Sequence, residues 1–175
     1  VFISGVYAVS VQKGVEIATL IDLSFPRMAS VLFFTLIQGP TGEETGWRGY
    51  LLPAVEKEIG TVRASLMVSL VWAFWHAPVW FLGTEYRGLV LLKYVIVFVI
   101  SITSLGFIMS IYYRRYKNLL VPIWLHFTFN FLVGGLYRGA MVELVSWHAA
   151  FYAIIAIVVY ASSLRGEKAQ CMTVS

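Results

Sequence analysis

The chain has 175 residues, of which 59% are hydrophobic and only 13% charged, with a mean hydropathy of +0.80. A soluble domain of this length carries about 25% charged residues, so the composition excludes an ordinary water-soluble enzyme. The net charge of +4 resides mostly in short loops and the tail, which fits the positive-inside bias of a membrane protein better than a nucleic-acid partner.

Apolar runs of roughly 20 residues recur, each long enough for a bilayer core of about 30 Å. Lone segments in lipid must satisfy their own backbone groups, so these runs are helices. The expectation is an all-α, multi-span transmembrane bundle of about six helices, forming one membrane-embedded domain over residues 1–175. The first run, 1–23, is a weak span because Gln12, Lys13 and Glu16 interrupt it, and the stretch from Asp22 to Arg27, with Pro26, breaks it. A second helix starts near Met28, is disturbed at Gly39-Pro40, and resumes to about Glu58, with Gly60 as its stop. The third span, 61–82, contains His76 with Pro78 two residues later. The fourth, 89–113, is the cleanest and ends in Arg114, Arg115 and Lys117. The fifth covers 119–137 and the sixth 147–164.

Counted this way, residues 114–117, Lys57 with Arg63, and Arg165 with Lys168 fall on one side, and Arg27, Arg87 and Arg138 on the other. The richer side is expected to be cytoplasmic, which places the C-terminus inside. Cys171 is the single cysteine and sits in the polar tail, where it forms no internal disulfide. The terminal CMTVS is one residue too long for a prenylation box. Val1 opens the chain without a methionine or a signal-peptide pattern, so the expectation is a piece of a longer, N-terminally extended protein.

Ionisable residues inside spans are rare enough that each is a functional hypothesis. After the loops are set aside, Glu43, Glu44, Arg48, His76, His126 and Asn130 remain, on three helices. Glu44 and Arg48 are four residues apart on one helix face and neutralise each other. Glu43 is rotated by about 100° from Glu44 and points elsewhere. A partly desolvated carboxylate with no fixed cation is suited to general-base work. His126 and Asn130 repeat the four-residue spacing, placing an imidazole and a carboxamide side by side as donors for an oxyanion. The alternative for each residue is interhelical hydrogen bonding with no chemistry, and for Glu44–Arg48 that is the better reading. His148, at the start of the last span, reads as an interfacial structural residue, and Trp72, Trp75, Trp80 and Trp124 as packing and interfacial anchors.

Several intramembrane mechanisms lack their residues. An aspartyl dyad needs two aspartates, and Asp22 is the only one; a serine nucleophile turn of the Gly-x-Ser-x-Gly kind is absent. Zinc remains conceivable with Glu43, His76 and His126 as ligands, although no H-E-x-x-H motif is present. Without a metal, a carboxylate and an imidazole facing paired donors amount to an amide hydrolase that forms no covalent intermediate.

These residues carry a family resemblance. The chain resembles the type II CAAX endopeptidases, grouped with bacterial relatives as the CPBP intramembrane proteases. Glu43, Glu44 and Arg48 match E-E-x-x-x-R; Trp72 and His76 match F-x-x-x-H with tryptophan for phenylalanine; His126 and Asn130 match H-x-x-x-N. The similar region covers about 30–135, and GWRGYLLP looks like the prokaryotic branch. The resemblance implies a glutamate protease in a prokaryotic cell membrane, without a required cofactor. Glu43 and His76 would activate water, His126 and Asn130 would stabilise the oxyanion, and Glu44 and Arg48 would shape the site. Its partners would be lipid and a protein or peptide substrate. The rivals are a zinc metalloprotease using the same residues and a non-catalytic membrane protein, such as a bacteriocin-immunity factor or a scaffold.

Overall fold

The structure, a computed structural model, describes the backbone of residues 1–37 and 39–174, and the side chains of these except 36, 37 and 164–174. The side chains of Arg165, Lys168 and Cys171 therefore lie outside the described residues. The fold is all-helical: α1 (Phe2–Lys13), α2 (Ile17–Leu20), α3 (Phe25–Ile37), α4 (Pro40–Glu44), α5 (Leu52–Ile59), α6 (Thr61–Trp75), α7 (Ala77–Leu82), α8 (Gly88–Tyr116), α9 (Leu120–Phe129) and α10 (Met141–Val174). Two wide, π-type stretches are spliced in, Thr45–Leu51 between α4 and α5, and Asn130–Leu136 after α9.

Among the described residues, three stretches are long and apolar enough to cross a membrane: Thr61–Leu82, Gly88–Tyr116 and Met141–Ser163. Leu120–Leu136 is a shorter apolar helix. The first expected span does not form as such: α1 has 12 residues, so at 1.5 Å per residue it reaches only about 18 Å. The second expected helix forms in two pieces, α3 and the run from Pro40 to Ile59 made of α4, the wide stretch and α5, with the disturbance at Gly39. Gly14, left-handed at φ 65°, ends α1 well before residue 23. The chain is an integral membrane helical bundle.

α8 is the central rod, packed along α6 on one side and α10 on the other. Its buried face carries Tyr94, Phe98, Ile102, Leu105 and Met109, against Trp72 and Ala73 of α6 and Val145 of α10. Close approach of α6 and α8 depends on small residues. A Cβ on Gly106 would sit 2.8 Å from Ser69 Oγ and 2.7 Å from Arg48 Nη2, so only glycine fits there. Gly60, at φ 79°, is the corner between α5 and α6.

The two ends of the bundle hold different ion pairs. At one, Arg114 pairs with Glu56, whose Oε1 also accepts from the Thr61 hydroxyl at 2.5 Å. At the other, a short clasp joins the α2–α3 link to the end of the wide stretch after α9. Ile21 and Tyr137 form an isolated antiparallel bridge, with Asp22 N–H on Leu136 O at 3.0 Å and Arg138 N–H on Leu20 O at 2.9 Å. Arg138 pairs with Asp22, and Arg27 Nε donates to Gly135 O at 2.8 Å. Asp22 lies outside the spans, and the Arg138 guanidinium, helped by Ser24, holds its carboxyl well below the usual carboxylate range.

Candidate active site

Local backbone chemistry creates the turn that carries His76. Pro78 has no N–H for the Phe74 carbonyl and crowds it, which stops a straight helix here. The break falls at His76 (φ −83°, ψ 4°), between α6 and α7. The His76 N–H turns back to Ala73 O at 3.2 Å, three residues away rather than four. The Trp72 carbonyl is thereby left for the His76 ring, whose Nδ1 lies 2.8 Å from it. A carbonyl only accepts, so Nδ1 carries the proton and, in the neutral ring, Nε2 presents a lone pair. His76 is only partly buried.

Glu44 is wholly buried and holds two partners. Arg48 Nη1 lies 3.0 Å from both of its carboxylate oxygens, and His126 Nδ1 lies 2.9 Å from Oε1. Arg48 is equally buried, and its Nε and Nη2 find no hydrogen-bond partner among the described residues. Its guanidinium carbon instead lies 4.7 Å from the centroid of the Trp72 ring, a cation–π contact strengthened by the absence of water. The wide Thr45–Leu51 stretch carries Arg48, and such an insertion often marks a functional position. Pro53 lies just beyond it and denies Gly49 O its ordinary helical donor.

Glu43 is half-buried on the neighbouring face, and its Oε2 accepts from Trp72 Nε1 at 2.8 Å. Trp72 therefore touches four motif groups: Glu43 through its N–H, Arg48 through its face, His76 through its carbonyl, and His126 edge-on at 4.9 Å between centroids. The His76 and Trp72 rings are 5.7 Å apart. His76 and His126, on two different helices, are thus brought to the same tryptophan. Asn130 stands one turn beyond His126, partly buried, where the helix widens.

Two roles were invisible in the sequence. Trp72 reads there as an aromatic wall, and nothing in its spacing announces a donor to Glu43. The pairing of Glu44 with His126, 82 positions away, needs the tertiary fold. His148 also moves: α10 begins at Met141, earlier than residue 147, so His148 lies two turns in and fully buried instead of at an interface. As for zinc, no three His, Cys, Asp or Glu side chains among the described residues converge enough to hold a metal ion. Glu43 and His126 each direct an atom to a protein partner.

The family model for type II CAAX prenyl endopeptidase Rce1-like proteins matches residues 25–132, more than half of the chain. The chain belongs to the Rce1-like family. All the motif residues named above lie inside the matched segment. A curated relative, CAAX prenyl protease 2 of Methanococcus maripaludis, is 26% identical over 141 residues, covering 78% of this chain and 52% of the relative. This Rce1-like chain thus spans about half the length of that protein.

Proposed function

We propose that this chain carries the catalytic centre of an intramembrane endopeptidase that hydrolyses a peptide bond with a water activated by Glu43 and His76. The observation that supports it best is the convergence of Glu43 of α4 and His126 of α9 on the indole of Trp72, beside His76, whose Nδ1 lies on the Trp72 carbonyl. Polar groups serving only as helix glue need pair just with each other.

In this reading, Glu43 takes a proton from the water while His76 Nε2 accepts the second hydrogen and orients the oxygen. The oxygen attacks the carbonyl carbon, and negative charge develops on the carbonyl oxygen. His126 and Asn130 face that charge. His126 already donates through Nδ1 to Glu44; when it also carries a proton on Nε2, Glu44 is the counter-charge that imidazolium needs. Collapse of the tetrahedral intermediate breaks the C–N bond, and Glu43 returns its proton to the leaving amine. No bond to the enzyme forms. The substrate is a protein or peptide met in the lipid. The name of the archaeal relative makes a prenylated CAAX peptide the first probe, and a signal peptide, bacteriocin leader or membrane-protein terminus are the other candidates. The basic cluster at the Arg114–Glu56 end supports a cytoplasmic orientation for that end, which places the C-terminus inside in a prokaryotic cell membrane.

The test compares peptide termini in cells carrying wild-type protein and Glu43→Gln. Loss of a general base lowers cleavage by about 10²–10⁴-fold, so termini produced by the enzyme disappear. If every terminus persists in Glu43→Gln, the chain is a scaffold or immunity-type protein instead. Activity lost to a chelator and restored by zinc would return the metalloprotease.

A further inference from the structure

The indole of Trp72 is 1% exposed and its N–H is directed at one oxygen of the half-buried Glu43. An indole nitrogen donates and never accepts, so this bond occupies Oε2 as an acceptor and leaves Oε1 free for a water. Trp72 cannot swing away, because its face is covered by the Arg48 guanidinium and its edge by His126. Its backbone carbonyl is fixed by the His76 ring. The donor is thus held in place by the same groups that surround the reacting water.

We propose that Trp72 is a positioning residue for the Glu43 carboxylate, its indole N–H fixing Oε2 so that Oε1 alone faces the water to be activated. This rests on the peptidase reading above. A phenylalanine at 72 would keep an aromatic ring and the carbonyl that holds His76, and would lose the N–H together with the pyrrole part of the indole.

Two measurements on the intact protein in nanodiscs test the idea. In ¹⁵N-indole NMR, with the Trp72 signal assigned by its disappearance in Trp72→Phe, Glu43→Ala is expected to move the Trp72 N–H proton upfield. An unmoved signal overturns the proposal without any need for a substrate. In cleavage assays on a peptide whose processing depends on Glu43, Trp72→Phe is expected to lower kcat about tenfold to a hundredfold with KM unchanged. A change confined to KM would mean that Trp72 is only a packing residue. If Glu43→Gln itself leaves cleavage intact, the peptidase reading falls, whatever the NMR reports about this bond.

Discussion

Two buried histidines in this bundle make an instructive pair. His126 is 1% exposed and His148 is fully buried, so solvent access does not distinguish them. Their partners do. His126 is tied to Glu44, which is tied to Arg48, and both stand against Trp72. His148 is surrounded by Phe2, Phe129 and Tyr152, and neither of its ring nitrogens finds a partner among the described residues. Burial alone therefore says little about chemistry; what separates a candidate centre from filler is a bonded network that fixes tautomer and direction.

The sharpest way to break this comparison is to remove Glu44. Glu44→Ala leaves Arg48 buried without its carboxylate, which costs about 3–5 kcal/mol, read by denaturant unfolding in mild detergent. A loss below about 1 kcal/mol would mean that the network is not what holds this region. His148→Leu is expected to be the reverse. It exchanges two unsatisfied nitrogens for an apolar group of similar size, so stability stays level or rises by about 1 kcal/mol. A clear fall in the same unfolding assay would show that His148 has a partner and belongs with His126. The smallest effect is expected at the exposed clasp. Asp22 has a depressed folded value, so its stabilising contribution is complete above the ordinary aspartate value of about 3.9. It is lost only as pH falls through the lower folded value. Asp22→Asn should therefore speed amide exchange at the Arg138 N–H at neutral pH, while acidifying wild type to about pH 4 should leave that exchange protected.

Much of this arrangement was legible in the chain because membrane proteins restrict the message. Rare charges in apolar runs stand out, so Glu44–Arg48 could be paired from spacing alone, and the 3.0 Å contact is local. The helix stop at Gly60 and the end of the long central helix in Arg114 and Arg115 follow from equally local chemistry. What stayed hidden is whatever depends on more than one helix or on an irregular turn. The wide stretches at Thr45–Leu51 and Asn130–Leu136 have no hydropathy signature. The apolar run at 1–23 reads as one weak span, yet Gly14 ends its helix, because mean hydropathy ignores a left-handed backbone. Trp72 was recognised as large and aromatic, and its one polar atom went unnoticed because indole is so often packing.

The bridge between Ile21 and Tyr137 has a topological consequence. The segment that opens at 21 and shuts at 137 contains every motif residue and the whole of the family match at 25–132. Its two extremities meet, so the hydrolase-like portion is a ring in space, although it is a line in sequence. α10 lies outside that loop in sequence, yet it packs along α8 within it and closes the core with Val142 and Val145.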